Sequence, residues 1–148
     1  MTPSEQTDLN YKKIYDEYNN TENIWLPEDK WHQYTKKRID EFLEACLNKL
    51  HLVGNEKVLN AGSGGNEYCL AGFDHYHVDI SEKSIQNKRK HVVSTIESIP
   101  LDGQLFDICL CVGSVINYCD AMKAINEFYR LLKPGGTLIL EFENSNSF

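Results

Sequence analysis

The spacing of apolar residues changes character near residue 54. Before that point it is helical. Tyr11, Ile14, Tyr15 and Tyr18 recur three, one and three residues apart, and Asn19, Asn20 and Thr21 interrupt them. After Trp25-Leu26-Pro27, a second stripe of Trp31, Tyr34, Ile39, Phe42, Leu43, Cys46, Leu47 and Leu50 keeps a 3.6-residue period. It predicts a helix over 28–50, closed by Gly54.

Beyond residue 54 short apolar runs alternate with helical stretches. Strands are predicted over 57–61, 76–79, 92–95, 106–112 and 137–143. Helices are predicted over 66–71, over 82–88 with Ser81 as cap, and over 120–132. The last carries Ala121, Ala124, Ile125, Phe128, Leu131 and Leu132 on one side, and Pro134-Gly135-Gly136 turns the chain after it. Strands alternating with helices indicate a parallel sheet with helices on both faces, an α/β doubly wound fold of the Rossmann-like kind. No linker, repeat or low-complexity tract divides the chain. Residues 1–54 read as a helical segment and 55–148 as the sheet, within one structural domain.

Composition narrows the function classes. Fifteen Lys and Arg against 22 Asp and Glu give a net charge of −7, which argues against a large nucleic-acid footprint. The one basic cluster, Lys83, Lys88, Arg89, Lys90 and His91, reads as a solvated helix end and loop. Five cysteines form no C-x-x-C pair, and Cys109 and Cys111 alternate inside an apolar run. They read as buried thiols of a cytoplasmic protein rather than as a disulfide framework or metal ligands. A polar N-terminus and the lack of a long apolar run predict no leader and no membrane contact.

Chemistry is concentrated after the first strand. Asn60-Ala61-Gly62-Ser63-Gly64-Gly65 places a glycine turn at the carboxyl edge of the sheet, where open α/β folds bind ligands. Asp79 ends the second strand and is placed to accept hydrogen bonds from both hydroxyls of a ribose. In a dinucleotide fingerprint a third glycine would stand where this chain has Glu67. A carboxylate there would repel a pyrophosphate, so a nucleoside cofactor without phosphates fits better.

These residues carry a resemblance. Val58-Leu59-Asn60-Ala61-Gly62-Ser63-Gly64-Gly65-Asn66 resembles the first motif of class I S-adenosylmethionine-dependent methyltransferases of the type 11-like group, and His77-Val78-Asp79-Ile80-Ser81 resembles the second. Ser94-Thr95-Ile96-Glu97-Ser98-Ile99-Pro100-Leu101 with Phe106-Asp107 is similar to the segment that flanks adenine. Phe128-Tyr129-Arg130-Leu131-Leu132-Lys133-Pro134-Gly135-Gly136-Thr137-Leu138 is similar to the helix-turn-strand that follows. The resemblance implies S-adenosyl-L-methionine as cofactor. It implies Asn60 and Ala61 leading into the loop, Gly62 and Gly64 under the methionine part, and Asp79 at the ribose. It further implies Ile80 against the adenine, Thr95 and Ile96 at its edge, and Val112 and Gly113 in the transfer pocket. Asn60, Asn66 and Thr95 depart from the acid, glycine and acid frequent at those positions, and each departure loses a charge or adds a side chain.

Family members often cover cofactor and substrate with a helical segment ahead of the first strand, a role open to Tyr11, Tyr15, Tyr18, Trp25, Trp31 and Tyr34. Core packing is the competing reading for most of them. No catalytic base stands out, since in-line methyl transfer from a sulfonium depends mainly on positioning. Asn117-Tyr118 does not match the motif of nucleobase amino methylation, and His75 and His77 read as ordinary imidazoles. The full family fold has seven strands, and this sequence accounts for five. The resulting expectation is a truncated sheet with an exposed edge and a tendency to self-associate. The function expected is methyl transfer to a small-molecule acceptor. The alternatives are a degenerate methyltransferase-fold binding module acting through a partner and, more weakly, a nicotinamide-dependent oxidoreductase.

Overall fold

The computed structural model describes residues 26–144, together with 9, 12, 13, 16 and 17. The expected stripe of Tyr11, Ile14, Tyr15 and Tyr18, and Trp25, lie outside the described residues.

Helix α1, Lys30–Leu47, starts where Asp29 accepts hydrogen bonds from the backbone N–H groups of Trp31 and His32, both at 3.1 Å. Five strands follow: β1 Lys57–Ala61, β2 Asp74–Asp79, β3 His91–Val93, β4 Phe106–Cys111 and β5 Leu132–Leu140. Between them lie α2, Glu82–Ile85, a 3₁₀ turn at Val115–Tyr118, and α3, Ala121–Leu131. Ser81 and Asp120 cap α2 and α3 through Ser84 N–H and Lys123 N–H. The sheet is wholly parallel in the order β3-β2-β1-β4-β5.

Alternating side chains give each face its own core. Val58, Ile108, Leu110, Val112 and Ile139 pack with Ile39, Leu43 and Leu47 of α1. Leu59, Ala61, Val78, Cys109 and Cys111 pack with Ala124, Phe128 and Leu131 of α3. Full burial of a large apolar side chain contributes about 1.5–3 kcal/mol, which applies to Ile39, Leu43 and Leu47 of α1 and to Phe128 and Leu131 of α3. Helices on both faces make the sheet doubly wound, as the strand–helix alternation predicts.

Three local expectations are corrected. The helix predicted over 66–71 is a series of turns, because Tyr68 adopts φ +48° and the bonds from Leu70 N–H to Glu67 and from Phe73 N–H to Leu70 span only three residues. The helix predicted over 82–88 stops at Ile85. Pro134-Gly135-Gly136 lies inside β5 as an irregularity: Phe106 faces Leu132 and Ile108 faces Thr137, so five steps of β5 match two of β4.

Candidate functional site

The strand order reverses between β1 and β4, and a cleft of about 390 Å³ opens beyond their carboxyl ends. That is where open α/β sheets bind ligands, and the volume lies within the range of small-molecule sites. Of the predicted residues, Gly62, Gly64, Asp79, Ile80, Ile96, Val112 and Gly113 line it. Asn60, Ala61 and Thr95 do not. Ala61 is buried in the α3-side core, and the buried Asn60 donates from Nδ2 to the carbonyl of Asn66 at 2.8 Å, bracing the loop from beneath.

The glycine turn is shaped by its protein neighbours. Gly62 has φ +68°, and a Cβ there would lie 2.5 Å from Val115 Cγ1. Gly65 has φ +79°, and its Cβ would lie 2.2 Å from the Ser84 carbonyl oxygen. Glycine is therefore required at both positions by backbone conformation and by the close approach of the turn after β4 and of α2. The N–H groups of Gly62 and Ser63 both point to the Val78 carbonyl, at 2.7 and 3.2 Å, which seats the turn on β2.

Asp79 is 8% exposed, and its carboxylate joins the loop to α2. Oδ2 accepts from Gly64 N–H at 2.7 Å and Oδ1 from Ser81 N–H at 2.9 Å. Burial pushes its pKa up, against the lowering effect of the backbone N–H groups of Ser81, Gly64 and Ile80. Each oxygen keeps a lone pair for a ligand hydroxyl.

The cleft also contains residues that sequence reasoning missed. Glu141, just past β5, accepts from Ser114 N–H at 2.8 Å and clamps a residue held at φ +59°. Glu143 adds a second carboxylate, and its backbone is fixed by reciprocal hydrogen bonds with the Asn117 side chain at 2.9 and 3.0 Å. The signal for Glu141 was available, since it directly follows a parallel strand at the same edge as Asp79. Of the described candidate lid aromatics, Trp31 lines the cleft and Tyr34 does not. His32 and Thr35 of α1 and Tyr118 of the 3₁₀ turn complete that wall.

Glu67 does not reach the cleft. Its carboxylate meets Lys88 Nζ at 3.2 Å in a separate recess with His75 and His77, so the argument from pyrophosphate repulsion falls away at that residue. Lys90 pairs with Asp74, so two members of the basic cluster already have carboxylate partners. His77 is buried, and burial lowers its pKa to about 4, leaving the ring neutral at neutral pH. Its Nδ1 lies 2.8 Å from Ser63 Oγ. Cys109 and Cys111 are buried free thiols, and burial raises both pKa values, that of Cys111 to about 12.

Parallel strands, a reversal in strand order, a glycine turn and a buried acid at the end of β2 define the Rossmann-like architecture of class I methyltransferases. A family model described as a methyltransferase domain matches residues 59–140. The chain belongs to this methyltransferase family.

The relatives differ in what they are named for. An uncharacterized protein of Methanocaldococcus jannaschii is 31% identical over 135 residues, covering 83% of this chain and 59% of that protein. A glycine/sarcosine N-methyltransferase of Halorhodospira halochloris is 28% identical, over 77% of this chain and 48% of its own. The chain thus spans roughly half the length of these two curated relatives. Among solved structures, the Haemonchus contortus phosphoethanolamine N-methyltransferase 1, in complex with phosphoethanolamine and S-adenosylhomocysteine, shares the fold. Its TM-score is 0.73 at 17% identity, over 99% of this chain and 34% of that one. No helix among the described residues is long and apolar enough to cross a membrane.

Proposed function

We propose that this chain provides the S-adenosyl-L-methionine site of a methyltransferase acting on a small-molecule acceptor. The observation that carries the proposal is the buried Asp79 carboxylate, held by Gly64 and Ser81 in the wall of the cleft at the β1–β4 reversal. Its free lone pairs suit a ribose diol. Ile80 and Ile96 supply apolar surface for an adenine ring in the same cleft.

The charge of the cleft supports the same cofactor. Glu141 and Glu143 disfavour a pyrophosphate and favour a cation, and the exposed ring of Trp31 adds an aromatic face suited to a sulfonium. S-Adenosyl-L-methionine supplies an already activated methyl group when bound. The chain's part is to hold the nucleoside, orient the acceptor and exclude water. Five free thiols support a reducing, cytoplasmic setting.

A second reading, a binding module without catalysis, draws on Asn60. That position often carries an acid in the family, and here its side chain braces the loop. Equilibrium dialysis against S-adenosylhomocysteine and NAD separates the cofactor readings: retention of the first alone is expected, and retention of NAD alone overturns the proposal. Transfer of a labelled methyl group to small acceptors then distinguishes an enzyme from a module.

A further inference from the structure

Outside the cleft, a recess of about 470 Å³ contains Glu67, His75 and His77. One ligand-type atom from each of these residues lies within 4.8 Å of the others. His75 and His77 are two apart on β2, so both imidazoles stand on the same face of a rigid strand. Their ring centroids are 5.1 Å apart.

The hydrogen bonds of the two rings leave the same atom available. His75 Nδ1 lies 3.0 Å from the Phe73 carbonyl oxygen, which only accepts, so Nδ1 carries the proton and Nε2 a lone pair. His77 Nδ1 meets Ser63 Oγ, which also accepts from Gly65 N–H at 3.1 Å. When Nδ1 donates to that oxygen, His77 Nε2, buried without a hydrogen-bond partner, holds a lone pair. His77 is 1% exposed, and an orphaned polar atom in such a place costs about 1–3 kcal/mol unless something satisfies it. His75 has the arrangement of metal-binding histidines, and His77 adopts it in the tautomer that donates from Nδ1: one ring nitrogen donates to an oxygen and fixes the ring, while the other faces the ion.

We propose that Glu67, His75 and His77 form a binding site for a divalent first-row metal ion of the zinc type, through Nε2 of each histidine and one carboxylate oxygen. Imidazole and carboxylate donors suit zinc, and three protein ligands leave a fourth position for water. Tetrahedral ligands at about 2.0–2.2 Å from the ion lie about 3.3 Å apart, so the cluster closes by at most about 1.5 Å on binding. Glu67 is the group that moves, being exposed and carried on the turns of 66–73 rather than on a helix. It must exchange Lys88 for the ion. Lys88 is therefore a built-in competitor. The site also touches the cofactor cleft, because Ser63, which meets His77, lines that cleft.

The test is a Co²⁺ titration of tag-free, chelator-treated, reduced protein, followed by visible absorption, with Zn²⁺ competition and thermal melting alongside. One equivalent of Co²⁺ is expected to bind with the spectrum of a nitrogen–oxygen tetrahedral site and to raise the melting temperature. Glu67→Gln and His75→Ala, both outside the core, are expected to weaken binding by at least about tenfold. Lys88→Met is expected to tighten it. Two results overturn the proposal: no Co²⁺ binding by the folded protein, or binding unchanged in the Glu67→Gln and His75→Ala variants, which places the ion elsewhere. None of these readouts depends on cofactor binding, so the metal site and the methyltransferase reading fail independently.

Discussion

Asp79 Oδ2 accepts a 2.7 Å hydrogen bond from the backbone N–H of Gly64, fifteen residues earlier in the chain. The carboxylate that faces the cleft therefore also holds the glycine loop in shape, and through Ser81 it holds the start of α2. Binding and local folding are joined in one side chain. A variant that removes the carboxylate altogether loses both backbone bonds, whereas Asp79→Asn keeps one acceptor oxygen, sets its amide NH2 against the other backbone N–H, and removes the charge.

Asn60→Asp brings the chain closer to the common family pattern, yet it is expected to destabilise the protein. Asn60 is 1% exposed and donates to the Asn66 carbonyl, whereas an aspartate would set a negative oxygen against that carbonyl. The expected loss is about 1–3 kcal/mol. At about 2–4 °C per kcal/mol for a chain of this size, the melting temperature drops by several degrees. An unchanged or higher melting temperature would mean that the bond to Asn66 contributes little.

Gly65→Ala is expected to cost at least about 2 kcal/mol, from a left-handed backbone and a Cβ pressed on the Ser84 carbonyl. Gly72→Ala is the control, since a Cβ there meets nothing within 4 Å, and it is expected to stay within about 0.5 kcal/mol of the parent. Urea unfolding of the two variants checks the contrast. Equal effects would refute the close-approach argument.

Glu141→Ala removes a carboxylate that accepts from Ser114 N–H and holds a strained turn. Hydrogen bonds to charged groups contribute about 1.5–3 kcal/mol, and a loss in that range is expected on denaturant unfolding. Glu141→Gln retains an acceptor and is expected to recover most of it. If Glu141→Ala unfolds like the parent protein, the clamp is dispensable.

Asp79 gives two pH effects of opposite sign. Burial raises its folded pKa above the unfolded value, so the folded state takes up the proton first. The penalty for burying the charge is full above the folded pKa and disappears as pH falls toward the unfolded value near about 3.9. In the proposed site the ionised form is the one suited to accept both ribose hydroxyls. Affinity for S-adenosylhomocysteine is therefore expected to weaken as pH falls, beginning at a higher pH than for an unperturbed aspartate, while Asp79's contribution to stability moves the other way. Binding measured from about pH 8 down to about pH 4 checks this, with weak, pH-independent binding expected for Asp79→Asn.

Much of this architecture follows from short-range pattern. Val58 and Leu59 belong to opposite cores because strand side chains alternate, and the glycine cluster followed by Asp79 marks the reversal edge without tertiary information. Other features depend on contacts far apart in sequence. Ser114 and Glu141 meet across 27 residues, and Trp31 and Tyr34 share one helix although only Trp31 reaches the cleft. The helix expected over 66–71 fails at Tyr68, whose positive φ no propensity scale encodes. Glu67 illustrates the same limit. Its position in the motif places it beside the cofactor, whereas the turn aims it at Lys88 and the two histidines.

Isothermal titration of the purified protein with S-adenosylhomocysteine, beside Asp79→Asn shown to be folded by its melting curve, tests the central claim most directly. Binding by the parent protein is expected, and loss of charge-assisted hydrogen bonds of about 1.5–3 kcal/mol each predicts at least about tenfold weaker binding by the variant. No binding by the folded parent protein, or equal binding by both, would contradict the assignment of this cleft as the cofactor site.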